Sequence, residues 1–412
     1  MRLQGKLKNL TRCFLKKRRN PLKVLAFGLD NRALLEIDGH SKRWNKRMGA
    51  YVDRLDVVVE VREKNAVIED KYIADNVRIL PIYVPNPMFY SWIAYKKALN
   101  EHKKNPYDLI TSEDPFRTGL AAALFKIKTG VAFSLEYHTD TINNKEWLDE
   151  KPLIHNVYNR IGKFVVNKAD SIRCVNQKNA DQLTGLTSAG KNNKLIEIIP
   201  VPTAVYNHET NGLKSAAVRK KIAKNEEDVI ILSVSRLAPV KKIDELIKAF
   251  VQIRTLHKNC YLVIVGDGVE FKRLTGLAND LGAERIIFTG YKSEEEVFNY
   301  YGACDIFVNP AHVETYGKVF IEAMSASKPV ISTYGVGAVE DKLLLDHENS
   351  LLVTPGKLEE LKNAIIRLIQ DKNLRKKLGD KALETVNQKF NYENSLIKMH
   401  EYWEKTIQLC GS

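Results

Sequence analysis

Short β-branched runs alternate with longer helical stretches along nearly the whole chain, and this rhythm most constrains what it can fold into. In the first half the runs Lys23–Phe27, Asp56–Val61, Val77–Val84, Tyr107–Thr111, Val131–Tyr137, Ser171–Val175 and Leu195–Val201 read as strands. In the second half Val229–Ser235, Tyr261–Gly266, Arg285–Gly290, Cys304–Val308 and Pro329–Ser332 do the same. Strands separated by helix-length segments pair in parallel, with helices on both faces, so the expected class is α/β. A chain of 412 residues is long for one core and suits two domains.

A polar, turn-rich stretch from Pro202 to about Glu227 parts the halves. The expected organisation is a basic amphipathic segment over 1–21, a first domain over 22–205 and a linker over 206–227. A second domain over 228–390 and a C-terminal helix over 391–412, packing back on the first domain, complete it. Ile243, Leu246, Ile247 and Phe250 follow the spacing of a core-facing helical stripe. Tyr392, Leu396, Met399 and Trp403, spaced four, three and four apart, predict the amphipathic terminal helix.

Charge is uneven. Residues 1–230 hold 40 Lys/Arg against 26 Asp/Glu, whereas residues 231–412 hold 24 of each. Such a bias suits nucleic acid, an anionic membrane or anionic substrates. A nucleic-acid surface would interleave aromatic with basic residues on a recognisable module. The 8% aromatics are spread evenly, so no nucleic-acid partner is expected.

Leu3, Leu7, Leu10 and Phe14 mark one face of a helix, and the first 20 residues carry eight basic residues and no acid. That pattern fits a helix lying on an anionic membrane surface; a solvated basic tail or a helix packed on the domain fits the same residues. No run approaches the ~18 apolar residues of a membrane span, and no apolar region of a signal peptide follows the basic start. Five scattered cysteines without a CxxC pair fit a reducing compartment. The expected location is cytoplasmic, peripheral at the inner face of the plasma membrane.

Two stretches carry chemistry. Asn309 to Met324 follows an apolar strand and turns through Gly317 into a helix whose N-terminus suits a phosphate. Glu314 and Glu322, with seven residues between them, can accept bidentate hydrogen bonds from vicinal hydroxyls of a sugar or ribose. A turn residue and a solvated helix residue are the plain alternatives. Ser235-Arg236-Leu237-Ala238-Pro239-Val240-Lys241-Lys242 follows the strand Val229–Val234, where open α/β sheets bind ligands. Arg236 and Lys241 there could neutralise a diphosphate, or be ordinary surface charges.

Together these stretches resemble glycosyltransferase family 4, retaining enzymes of GT-B fold. The E-x7-E signature is matched by Glu314 and Glu322, and the G/S-R-L-x-P-x-K loop by Ser235 to Lys241. Val265-Gly266-Asp267-Gly268, Phe288-Thr289-Gly290-Tyr291, Lys328-Pro329-Val330-Ile331-Ser332 and Glu348 to Val353 follow in the family's order. Ser327 stands where the family usually has glycine, and Gly335-Val336-Gly337-Ala338-Val339-Glu340 is one residue looser than the usual Gly-Gly-x-x-Glu.

The resemblance implies two Rossmann-like domains facing a central cleft, with a nucleoside diphosphate sugar as co-substrate and no metal or other cofactor. No Asp-x-Asp is present to hold a metal. Arg236 and Lys241 would hold the donor diphosphate, Glu314 the transferred sugar and Glu322 the nucleotide ribose. Backbone groups of Thr315, Tyr316, Gly317 and Lys318 would face sugar and phosphates. Tyr291 and Lys292 would contact the base, with Gly266 also on the donor side. His138, ending an apolar strand, would lie near the reacting centre. Asp30, Gly39 and His40 remain where the family has a glycine-rich acceptor loop. The expected acceptor is a lipid-linked or cell-envelope glycan precursor. An epimerase or phosphorylase of the same fold, and a catalytically idle sugar-binding relative, are the competing readings.

Overall fold

A computed structural model describes residues 22–29, 48–63, 68–138, 141–187, 194–200, 203, 205–314, 317–390 and 392–411. The expectations for residues 1–21, Asp30, Gly39, His40, Thr315 and Tyr316 lie outside them. The described residues form two compact units, one from those before Thr203 together with Glu393 onward, the other Thr203–Tyr392.

In the first unit, β1 (Lys23–Phe27), β2 (Arg54–Val61), β3 (Lys71–Ala74), β4 (Val77–Tyr83), β5 (Leu109–Ser112), β6 (Ala132–Tyr137), β7 (Ser171–Cys174) and β8 (Leu195–Ile198) make one sheet. Its order is β3-β4-β2-β1-β5-β6-β7-β8. All pairs are parallel except β3–β4, an antiparallel edge. In the second unit, β9 (Val229–Val234), β10 (Cys260–Val265), β11 (Ile286–Phe288), β12 (Ile306–Val308), β13 (Val330–Thr333) and β14 (Ser350–Val353) form a wholly parallel sheet ordered β11-β10-β9-β12-β13-β14.

The strands read as continuous apolar runs because helices cover both sheet faces. Every residue of β10 is buried. The stripe Ile243, Leu246, Ile247 and Phe250 is buried on the helix Ile243–Leu256. β3 escaped the sequence reading because this short edge strand has no buried residue. β14 is only four residues long.

The linker expected over 206–227 is corrected by a helix, His208–Ile222, inside the second unit. Its inward stripe is largely polar, which hid it: Asn211 and Ser215 are buried, with Ile222 its one buried apolar side chain among the described residues. Asn211 Nδ2 donates to Asn299 Oδ1 at 3.3 Å, and Ser215 Oγ lies 3.0 Å from the Tyr206 hydroxyl. Arg219 donates to Asp305 Oδ2 at 2.8 Å and to the Asp228 carbonyl at 2.7 Å. Gly302 opposite is required, since a Cβ there would sit 2.1 Å from Ser215 Oγ.

The terminal helix Tyr392–Gly411 buries Leu396, Met399 and Trp403. Ser134 of β6 donates to the Tyr402 hydroxyl at 3.1 Å, and the hydroxyls of Ser171 in β7 and Thr406 share a 2.6 Å hydrogen bond. Lys405 reaches Glu197 of β8 at 2.7 Å. The helix therefore closes over β6, β7 and β8 with paired polar contacts beneath an apolar stripe. Trp403→Ala should cost about 3–5 kcal/mol, the range for emptying a large aromatic site, in urea unfolding of the first unit. A loss under about 1 kcal/mol would show that the helix is not part of that core.

Candidate functional site

The strand order of the second unit fixes where a ligand goes. From β9 the chain builds outward to β10 and β11, then returns to the other side of β9 with β12, β13 and β14. The reversal lies between β9 and β12, and open parallel sheets bind ligands beyond the strand ends at such a point. The loop 235–242 leaves β9 there, and residues 309–314 leave β12 beside it.

These neighbouring loops are tied by charge. The Lys241 ammonium donates to Glu314 Oε2, with both side chains about four-fifths buried. Arg236 is exposed and pairs with no carboxylate among the described residues. Gly317 caps the helix Lys318–Ser325 in the left-handed conformation, with φ at 69°. A Cβ there would meet the Phe320 ring at 2.4 Å and Glu314 Cγ at 3.1 Å. Glycine thus lets the chain enter the helix beside the carboxylate, and the buried Gly317 and half-buried Lys318 open its N-terminal turn.

Glu322 lies one turn further along, half-buried. The Tyr301 hydroxyl donates to its Oε2 at 2.9 Å. Burial, reinforced by the Glu322 carboxylate, pushes the Tyr301 phenol well above its ordinary range, so it remains a proton donor. The Glu314 carbonyl accepts from Gly337 N–H at 2.7 Å. The loop Gly335–Gly337, read from sequence as loosened, is therefore bound to the Glu314 turn. His312 Nε2, 3.0 Å from Glu245 Oε1, joins that turn to the helix behind the Lys241 loop.

The next loop, after β10, is pressed against the Arg236 loop. A Cβ on Gly266 would fall 1.9 Å from the Ser235 carbonyl oxygen, and one on Gly268 would fall 2.3 Å from that of Leu237. Tyr291, exposed, and Lys292 follow β11 on the same carboxyl side of the sheet. Two buried polar atoms beside the reversal, Ser235 Oγ and Asn309 Nδ2, have no hydrogen-bond partner among the described residues. Buried polar groups are rarely left so, and two at one strand reversal suit a ligand or water. Ser327, in the place of the family's glycine, takes φ of 56°, a strained conformation for a side-chain-bearing residue.

His138 belongs to the first unit, just past β6. Its Nε2 lies 3.0 Å from Glu136 Oε2, which also accepts from Arg173 at 2.7 Å. Burial opposes the charge on Glu136; Arg173 and His138 overcome it and hold the carboxyl below the usual carboxylate range. Arg173 is itself anchored by donating to the Ile199 carbonyl at 2.8 Å and the Pro200 carbonyl at 3.2 Å. His138 is thus oriented by a buried pair that no sequence spacing reveals. Tyr301 and Glu245 were likewise absent from the candidate residues, because their partners are remote in sequence.

In the second unit, then, Arg236, Lys241, Glu314, Gly317 and Glu322 sit on loops and a helix end flanking one strand reversal. Such an arrangement, in an α/β unit, suits an anionic, hydroxyl-bearing ligand. The model of the family "Glycosyl transferases group 1" matches residues 214–385. An uncharacterized glycosyltransferase of Methanocaldococcus jannaschii is 30% identical, over 76% of this chain and 79% of its own. The alpha-monoglucosyldiacylglycerol synthase of Acholeplasma laidlawii is 31% identical over 38% of each chain. Anabaena HepE, solved in complex with UDP-glucose, superposes with a TM-score of 0.70 at 20% identity, over 93% of this chain and 100% of that one. The two parallel-sheet units have the fold of GT-B glycosyltransferases. The chain belongs to the group 1 glycosyltransferases, family 4, and is an enzyme of that class.

Gly266→Ala should force the 235–237 loop away from β10. Its affinity for a nucleoside diphosphate should drop at least about tenfold, equivalent to roughly 1.4 kcal/mol, in calorimetric titration. Unchanged affinity would separate the glycine loop from the donor site.

Proposed function

We propose that the chain transfers a sugar, with retention of anomeric configuration, from a UDP- or GDP-linked donor to a hydroxyl of a lipid-linked or cell-envelope glycan precursor. The observation that carries this reading is the meeting of Lys241, Glu314 and the Gly317 helix terminus at one strand reversal, with Arg236 exposed on the adjoining loop. UDP-glucose in HepE supports the donor class. The Acholeplasma enzyme, which makes a glucosylated diacylglycerol, supports a lipid acceptor.

Departure of a nucleoside diphosphate leaves negative charge on the phosphates and positive charge on the sugar ring. Arg236, Lys241 and the Gly317 terminus supply fixed positive charge to the first, and preorganised donors of this kind contribute several kcal/mol. Glu314 accepts from the hydroxyls of the transferred sugar and Glu322 from the ribose. Thr315, Tyr316 and Lys318 offer backbone N–H groups, Gly266 lets the donor approach, and Tyr291 and Lys292 contact the base. The leaving oxygen and the acceptor hydroxyl occupy the same face of the ring, so a front-side displacement gives retention without a covalent carboxylate. His138, fixed by Glu136, works at the reacting centre, and Asp30, Gly39 and His40 belong to the acceptor side. The basic segment 1–21 holds the enzyme at an anionic membrane on its cytoplasmic face; no described helix is long and apolar enough to cross one.

Arg236→Ala and Lys241→Ala should each lower transfer at least about 100-fold, the scale for one preorganised donor, while leaving the fold intact. Transfer should persist in EDTA, because the side chains carry the positive charge. Near-normal turnover in either variant, or activity abolished by EDTA and restored by magnesium or manganese, would contradict the roles given to these cations.

Glu314→Gln should impair transfer more than nucleotide binding, whereas Glu322→Gln should weaken nucleotide binding itself. Equal nucleoside diphosphate affinity in wild type and Glu322→Gln would remove the ribose contact.

A further inference from the structure

The helix Pro152–Lys168 of the first unit turns apolar side chains outward. Leu153 is 88% exposed, Val157 56% and Phe164 38%, with Ile154 beside them at 56%. Positions 153, 157 and 164 fall on one face, at helical intervals of four and seven. The opposite face is already seated through Asn159, Gly162, Val165 and Val166. Among the described residues, nothing covers the outward stripe.

Charge indicates what covers it. Lys151, Arg160 and Lys168 are exposed, Lys163 is partly so, and no carboxylate occurs between residues 151 and 169. None of these four cations pairs with a carboxylate among the described residues. Lys168 Nζ lies 5.8 Å from the centre of the Phe164 ring. Asp149 and Glu150 belong to the preceding short helix, Lys145–Glu150. A second copy related by two-fold symmetry would bring the same cations against each other. A bilayer with anionic headgroups accepts both the apolar stripe and its basic flanks.

Another dense group of exposed apolar residues, Met88, Phe89 and Trp92, opens the helical run ending at Lys104. The helix Arg117–Thr129 packs against both this run and Pro152–Lys168, so all three share one layer. The two exposed groups lead helices that follow β4 and β6, and thus start on the carboxyl side of the sheet. That is the side where parallel sheets hold ligands.

We propose that Pro152–Lys168 lies in the surface of an anionic bilayer and docks the first unit there, independently of residues 1–20. The inference rests on the membrane-borne acceptor argued above. It is tested by co-sedimentation with vesicles of phosphatidylcholine, with or without phosphatidylglycerol. The proteins are the full chain and a chain starting at Asn20, each with and without Leu153→Ser plus Val157→Ser. The chain from Asn20 should still bind phosphatidylglycerol vesicles, and less so as salt rises. The two serines should lower its partition at least about tenfold by removing inserted apolar surface, with circular dichroism and donor hydrolysis unchanged.

Equal partition with and without the serines would overturn the proposal. So would binding by the full chain that vanishes on removing residues 1–20, although the membrane reading itself would then stand. A concentration-dependent dimer abolished by the serines, with vesicles ignored, would overturn it in favour of self-association. Absence of binding by every form, with transfer to a water-soluble acceptor, would overturn both readings.

Discussion

The Lys241–Glu314 ion pair spans the point where the second sheet reverses its strand order, and the site depends on it. The ammonium stands on the loop after β9 and the carboxylate on the loop after β12. Partly solvated pairs contribute about 0–1 kcal/mol to stability, so its importance lies in position. It holds a cation and an acceptor at adjoining strand ends, one turn ahead of a helix terminus. In the proposed reaction the donor's phosphates share the ammonium that Glu314 holds in their absence. The carboxylate is thereby left facing the sugar.

Backbone fit supports this arrangement as much as charge does. Gly266 and Gly268 permit carbonyl approaches that any Cβ would block, bringing the loops after β9 and β10 together. Gly317 turns the chain into its helix while leaving space for Glu314 and Phe320. Gly335 lies where a Cβ would reach 2.2 Å from the His312 carbonyl oxygen, so the loop after β13 closes on the Glu314 turn. Four strand ends are drawn together by positions where a larger residue has no room.

The α/β class and most strands were legible because parallel strands buried on both faces must be apolar along their whole length. The alternation of Val229–Val234, Cys260–Val265 and their neighbours with amphipathic helices could hardly be read otherwise. Legibility failed where burial is polar or the strand short: Asn211 and Ser215 gave the helix His208–Ile222 no apolar stripe, and Lys71–Ala74 is half-exposed at an edge. At the site, the family resemblance singled out Arg236, Lys241, Glu314 and Glu322, and the fold sets them on the loops and helix that follow β9 and β12. Tyr301 on Glu322, Glu245 on His312 and the Glu136–Arg173 pair behind His138 join residues 21 to 67 positions apart. Only the folded chain brings them together.

The central claim is that fixed cations beside β9 recognise the donor's diphosphate. Its most direct test is calorimetric comparison of nucleoside diphosphate with nucleoside monophosphate binding, without divalent metal, in wild type, Arg236→Gln and Lys241→Gln. The base and ribose are common to both ligands, so the difference isolates the second phosphate. Wild type should prefer the diphosphate, and each substitution should erase most of that preference while monophosphate affinity holds. A diphosphate preference of equal size in all three proteins would contradict it.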